Sequence, residues 1–124
     1  MSYDNTPFAA FVIAPVVGGL AATTRAADRG EEGRIGLPGG KLDAGEDAEA
    51  AARREAAEEG WEVVGKLVEV RRALYDGRLI VWFLADHAVK LAEYKEIGRI
   101  TPVVASVRQV ASSGYDNAFI SALF

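Results

Sequence analysis

The chain opens on an apolar run, Phe8 to Ala14 (FAAFVIA), that reads as a buried strand. Gly18-Gly19 follows as a turn, and Leu20 to Arg25 returns as a second strand. Ala26 to Gly36 is polar and glycine-containing and is expected to be a loop, leading into the glycines of Pro38-Gly39-Gly40. Asp47 to Glu59 is rich in Ala, Glu and Arg, which enter a helix at little cost, and Gly60 is a C-cap. Trp61 to Val64 and Lys66 to Tyr75 look extended, with Val68, Val70 and Leu74 set among charged residues. Asp76-Gly77 is a two-residue hairpin signal, and its partner strand Arg78 to Ala85 (RLIVWFLA) is apolar enough to be central.

His87 opens a further short strand, and Tyr94 to Arg99 is a loop. Thr101-Pro102 then offers an N-cap and a first helical residue. Val103, Val104, Val107, Val110 and Ala111 recur at helical period, and Gly114 stops that helix. Asp116 or Asn117 would cap a last short helix ending at Phe124. Strands, helix, strands, helix imply an α/β fold: a mixed sheet with helices packed on it.

Composition narrows the picture. A chain of 124 residues fits one domain, residues 1–124, and 50% hydrophobic residues can fill its core. The net charge of −4 argues against a general nucleic-acid binder. The absence of cysteine excludes thiol catalysis and zinc–thiolate sites and is compatible with a cytoplasmic setting. The single His87 excludes a multi-histidine metal site. The apolar stretch from Phe8 to Ala22 is broken by Pro15, Gly18 and Gly19 and lacks a basic leader, so neither a signal peptide nor a membrane span is expected.

The chemistry concentrates between Gly39 and Val63 (GGKLDAGEDAEAAARREAAEEGWEV). Glu55, Glu58 and Glu59 fall at i, i+3 and i+4, on one helix face. Three like charges there destabilise a bare helix. A divalent cation reverses the sign, and Mg²⁺ prefers carboxylate oxygens while keeping waters that a phosphate can replace.

The stretch resembles the box of the Nudix hydrolase family, Gly-x5-Glu-x7-Arg-Glu-U-x-Glu-Glu-x-Gly-U, where U is a bulky aliphatic residue. Gly40, Glu46, Arg54, Glu55, Glu58 and Glu59 match in type and spacing. Three positions depart: Ala56 is small for its place, Trp61 stands where the final Gly is expected, and Glu62 stands at the last aliphatic position. A slip of one residue would give Gly60 the glycine role and shorten the turn. The resemblance implies an α/β/α sandwich with the box as loop-helix-loop. It also implies hydrolysis of a nucleoside diphosphate linked to another group, with Mg²⁺, or Mn²⁺ as a substitute.

By position, the resemblance makes Glu58 and Glu59 metal ligands, with the Gly40 carbonyl a third. Glu55 becomes the general base or a further ligand. Arg54 buttresses the glutamates and Glu46 supports the loop-helix junction, and for both a structural role is as well supported as a catalytic one. Thr24-Arg25-Ala26-Ala27-Asp28 is similar to the matching segment of MutT-type nucleoside triphosphate pyrophosphohydrolases. That subgroup implies phosphate contact by Arg25, a metal contact by Glu96 and a purine contact by Asn117, with Gly39 and Lys41 also at the substrate. Each has a bland counterpart: Asn117 as a helix cap, Glu96 as a solvated loop residue, Arg25 as an exposed strand residue.

The resulting expectation is cleavage of nucleoside triphosphates, first among them purine or oxidised purine nucleotides, to monophosphate and pyrophosphate. The alternatives are ADP-ribose, a dinucleoside polyphosphate, coenzyme A or an RNA 5′ end as substrate, or a nucleotide sensor without turnover. Many members of the family are dimers, and the apolar amino-terminal strand or Phe119–Phe124 offers a homodimer interface. Arg71, Arg72 and Arg78 fit either phosphate contacts or a polar sheet face. Trp82 and Phe83 read as core before base-stacking, and Tyr75 is a weaker stacking candidate.

Overall fold

A computed structural model describes residues 6–25, 34–111 and 117–124. Its strands are β1 (Ala9–Ile13), β2 (Pro15–Val16), β3 (Gly19–Arg25), β4 (Ile35–Gly36), β5 (Gly39–Lys41), β6 (Trp61–Tyr75), β7 (Arg78–Lys90) and β8 (Ile100–Ala105). Helix α1 (Ala48–Glu58) lies between β5 and β6, while α2 (Val107–Ala111) and a 3-10 helix (Asn117–Ala122) follow β8. The first sheet runs β5-β1-β7-β6 and is mixed, because β1 and β7 are parallel while the other pairs are antiparallel. The second sheet is antiparallel: β3 pairs with β2, β4 and β8.

The centre of the first sheet, β1 and the middle of β7, is buried on both faces, which explains the unbroken apolar runs of those strands. Ala10, Val12, Val81 and Phe83 face one core with Ala51, Ala52 and Ala56 of α1. Ala9, Ile13, Ile80 and Trp82 face the other, with Leu20 and Ala22 of β3, Val110 of α2 and Ile120 of the 3-10 helix. This is the expected mixed α/β architecture, with a second sheet added to the layer opposite α1. The core reading of Trp82 and Phe83 holds, since both are buried. Tyr75 meets Trp82 edge-on at 6.0 Å. Strand β1 is paired along both edges and lies inside the sheet, so it offers no interface.

Several sequence expectations are corrected. Thr101-Pro102 does not start a helix: Ile100–Ala105 is β8, registered against Leu20–Arg25 of β3. Ile100 and Pro102 are buried with Thr101 exposed between them, the alternation of a half-buried strand, and among the described residues β8 pairs only with β3, so Pro102 sits in an edge strand where a missing N–H is tolerated. The helix begins at Val107. Ser106 accepts from the Gln109 amide at 3.1 Å, and Gln109 Oε1 accepts from the Ser106 amide at 2.9 Å, a reciprocal cap. Gly39–Lys41 is a short strand rather than a loop, and Ile35–Gly36 pairs with Thr23 and Thr24. The two extended segments after α1 are one 15-residue strand, bulged between Val64 and Leu67 and between Glu69 and Arg71. Strand β7 runs on through His87 to Lys90. Residues 26–33 of the expected loop, the Gly114 stop and the Asp116 cap lie outside the described residues.

The hairpin turn forms as read, with Asp76 at φ 52° and Gly77 at φ 76°. Among the described residues no helix is long and apolar enough to cross a membrane.

Trp61 fastens the layers. It leaves α1 through Gly60, packs in the α1-facing core, and donates its indole N–H to the Ala22 carbonyl of β3 at 2.8 Å. Trp61→Phe removes that hydrogen bond and is expected to cost about 0.5–1.5 kcal/mol of stability, read from urea unfolding.

Candidate active site

Helix α1 starts where its first free amides find an acceptor: Asp47, extended at φ −81° and ψ 162°, accepts from the Ala50 amide at 2.8 Å. Three alanines, Ala51, Ala52 and Ala56, form its buried stripe and let it lie close against β1 and β5. Ala56, small for its box position, is fully buried in that stripe. The helix ends at Glu58, and Gly60 takes φ +102°, so the one-residue slip is what occurs. A Cβ on Gly60 would lie 2.6 Å from Pro102 Cγ, so glycine is required by space as well as by backbone.

Arg54 organises the charged face. Its Nε donates to Glu46 Oε2 at 2.8 Å, and Nη2 donates to Glu46 Oε1 at 2.9 Å and to the Lys41 carbonyl at 3.1 Å. Nη1 donates to Glu55 Oε1 and to Glu58 Oε2, both at 3.0 Å. Glu46 also accepts from the Asp43 amide at 2.9 Å, closing the loop onto the helix. The Arg54 side-chain hydrogen bonds, reinforced by that amide, hold the Glu46 carboxyl down at about 2. The like-charge cost of Glu55 and Glu58 is thus met largely by one guanidinium in the free protein.

Glu59 points the other way, inward. It is 5% exposed, and its Oε1 accepts from the Gly39 amide at 2.9 Å. Burial pushes its carboxyl up to about 8; the Gly39 amide and the Arg25 charge oppose this, and Glu55 and Glu96 add to it. Burial also raises Glu55, against the pull of Arg54. Gly39, at φ +146°, has no room for a side chain: its Cβ would fall 2.3 Å from the Ala10 carbonyl oxygen. A Cβ on Gly40 would fall 2.6 Å from Glu55 Oε2, so Gly40 keeps that carboxylate in place.

The loop after β7 closes the site. The Glu96 amide donates to the Glu58 carbonyl at 2.8 Å, which caps the end of α1 and brings Glu96 beside Glu59. Arg25, at the exposed end of β3, is registered with Ile100, and its charge acts on Glu59. Arg54, Glu55, Glu58, Glu59, Gly39, Gly40, Glu96 and Arg25 therefore gather at one end of α1. Lys41 is exposed on the strand edge, its ammonium 5.5 Å from the Phe8 ring. Asn117 opens the 3-10 helix, and its side chain lies outside the described part of the structure.

As they stand, no three Asp, Glu or His side chains among the described residues are grouped to hold a metal ion. Glu55 and Glu58 are turned to Arg54, and Glu59 is turned to Gly39. The donor chemistry nevertheless fits a hard divalent cation. It offers carboxylate oxygens, a buried Glu59 carboxyl held by the Gly39 amide, and a Glu55 carboxylate seated directly against the Gly40 backbone. Sequence reasoning did not single out two further side chains here, Lys95 and Arg99, which sit 3.8 Å from Glu58 and 3.7 Å from Glu96. Their signal was present, as two cations flanking the one acid of a glycine-containing loop.

Two outcomes follow from the Arg54 cluster. Arg54→Lys loses the fork that spans three carboxylates and is expected to cost about 1–3 kcal/mol in urea unfolding, with Arg54→Ala worse. The Glu46 carboxyl is lower folded than unfolded, so its stabilisation is present above pH 4.5 and fades as pH falls towards 2. Acid titration should therefore show the stability gap between wild type and Glu46→Gln closing over that window.

A model of the NUDIX domain matches residues 7–105. No curated protein matches the chain. Among solved structures, the chain is similar to MutT described from Aliivibrio salmonicida and Vibrio cholerae, with a TM-score of 0.70 and 19% identity over 94% of this chain and 98% of that one. It is similar to a MutT NUDIX hydrolase from Burkholderia pseudomallei, at 0.63 and 20% over 85% and 86%. It is also similar to an ADP compounds hydrolase, at 0.59 and 21% over 77% and 54%. These likenesses are of fold. With the family's domain matched over most of its length, the chain belongs to the Nudix family of hydrolases.

Proposed function

We propose that the protein is a divalent-metal-dependent pyrophosphohydrolase of nucleoside triphosphates, with purine or oxidised purine nucleotides as the first substrates to test. The observation that carries this reading is the end of α1, where Glu59 accepts from the Gly39 amide, Glu55 lies against Gly40, Glu58 shares the Arg54 fork, and the Glu96 amide bonds the Glu58 carbonyl, with the Arg25 charge acting on Glu59. Glu58, Glu59, Glu55 and the Gly40 carbonyl would hold Mg²⁺, with Glu96 at the rim. A bound Mg²⁺ supplies charge neutralisation for the polyphosphate and acidifies coordinated water.

The chain's own residues do the rest. Arg54 frees Glu55 and Glu58 for that role by letting go of Nη1 contacts alone, while its two bonds to Glu46 keep the guanidinium placed. Glu55, raised by burial, is suited to accept the proton of the attacking water. Arg25 and Lys41 hold phosphate oxygens, and Gly39 lets the backbone come close. Water oxygen bonds to phosphorus as the anhydride P–O bond breaks, giving nucleoside monophosphate, pyrophosphate and a proton. Asn117 reads the base through an amide that both donates and accepts.

The similarity in fold to an ADP compounds hydrolase supports a second reading, in which an ADP derivative is cleaved at the same site. A panel with Mg²⁺ separates them: nucleoside triphosphates, oxidised guanine triphosphates, ADP-ribose and a dinucleoside polyphosphate, with phosphate and pyrophosphate assayed apart. Pyrophosphate from triphosphates is the expected product, reduced at least about a hundredfold in Glu59→Gln. Turnover of ADP-ribose alone transfers the site to the second reading. Nucleotide binding with no turnover of any substrate discards both for a sensor.

Glu59 also makes a prediction for the metal-free protein. Its folded carboxyl, at about 8, lies above the unfolded value of 4.5. Folding is therefore favoured below pH 4.5, and that contribution is lost as pH rises towards 8. In chelator, Tm should fall between pH 5 and pH 8 in wild type and much less in Glu59→Gln. Added Mg²⁺ should raise Tm more at pH 8 than at pH 5, since metal and proton compete for the carboxylate.

A further inference from the structure

The cations at this site fall into two classes. Arg54 is 28% exposed and makes five hydrogen bonds of 2.8–3.1 Å, a fixed part of the framework. Lys95 and Arg99 are 70% and 58% exposed, and they approach Glu58 and Glu96 at 3.8 and 3.7 Å. Those distances are ion pairs beyond hydrogen-bond range, and both cations are long side chains largely in water, so little holds either where it is.

Their backbone, by contrast, is anchored. The Glu96 amide is bonded to the Glu58 carbonyl at 2.8 Å, the Ile100 amide to the Glu96 carbonyl at 2.9 Å, and the Arg99 amide to the same carbonyl at 3.0 Å. Tyr94 Oη donates to the Ile100 carbonyl at 3.0 Å. The register of β3 with β8 sets Arg25 opposite Ile100, next to Arg99. A fixed loop thus presents two swinging cations at the rim of the carboxylate cluster, with a third beside them.

We propose that Lys95 and Arg99 are exchange cations: they neutralise Glu58 and Glu96 in the metal-free protein, and they pass to the substrate's polyphosphate when a divalent cation takes those carboxylates. The inference rests on the pyrophosphohydrolase reading above. A metal held by Glu58 and Glu96 would remove the attraction that keeps the ammonium and guanidinium there and would repel both. A polyphosphate bound at the same site would offer these side chains new anionic partners. Each cation and each carboxylate then has an opposite charge beside it in both states, and the exchange costs little because both cations are exposed and their contacts are longer than hydrogen bonds.

The test is calorimetric and needs no turnover. Mg²⁺ alone, and inorganic triphosphate with Mg²⁺, are titrated into wild type and into Lys95→Met/Arg99→Met, whose exposed positions should leave folding intact. In the double variant the expected result is triphosphate binding weaker by about tenfold or more, with Mg²⁺ binding unchanged or tighter because its competitors are gone. Wild-type triphosphate binding should weaken with salt more steeply than the variant's, and Lys95→Arg should retain most of the affinity. Equal triphosphate binding in wild type and variant overturns the proposal, as does weaker Mg²⁺ binding, which would make the two cations orienters of the carboxylates. Failure of wild type to bind triphosphate overturns it too. Triphosphate binding that depends on Lys95 and Arg99, without pyrophosphate release from any nucleotide, upholds this inference and removes the pyrophosphohydrolase reading.

Discussion

All five N–H donors of Arg54 are engaged at once, on three glutamates and a backbone carbonyl. That single saturated guanidinium ties together three pieces of chain: the loop through Glu46, the strand through the Lys41 carbonyl, and the helix through Glu55 and Glu58. Without it, α1 would carry a row of like charges with only distant compensation. With it, Glu55 and Glu58 are paired without a metal, both through the single Nη1 atom. The side chain is partly buried, where a forked arginine counts for more than a surface pair.

The rest of the fold serves to set that cluster against the glycine strand. Alanine on both sides of the interface lets α1 lie close to β1 and β5, which brings Glu59 within 2.9 Å of the Gly39 amide. A bulky aliphatic side chain at position 56 would push the helix outward. The small residue there and the tight packing at Gly39 and Gly40 are parts of one adjustment. Gly60 allows the chain to turn at once from helix into strand, and Pro102 of the second sheet fills the space a side chain would need. The buried end of α1 is thereby pinned by both sheets.

Much of this was legible in the sequence, for identifiable reasons. The spacing of Glu46, Arg54, Glu55, Glu58 and Glu59 is a property of local chain geometry, and the structure realises it on one helix with the loop folded back. Asp76-Gly77 likewise encodes its turn locally. Ile100–Ala105 was misread because its valines satisfy a helical period as well as a strand's, and Thr-Pro mimics a helix start. Its strand state is decided by pairing with β3, some 80 residues earlier in the chain. The inward turn of Glu59 was not legible either. Spacing puts three glutamates on one face, but whether each finds an arginine or a backbone amide depends on the neighbouring strand. Lys95 and Arg99 were passed over because a cation in a polar loop has no pattern of its own until its carboxylate partners are placed.

The two tryptophans of the chain lie on opposite faces of the first sheet, Trp61 with α1 and Trp82 towards the second sheet. Each indole is a chromophore sealed in a different layer, and only one has its N–H bonded to a carbonyl across the sheets. The molecule therefore carries its own two-channel optical probe. Light emitted from Trp61 reports on the helix and the seam it closes, and light from Trp82 reports on the layer behind it. Loosening of one layer before the other would appear as a change in colour as well as in brightness.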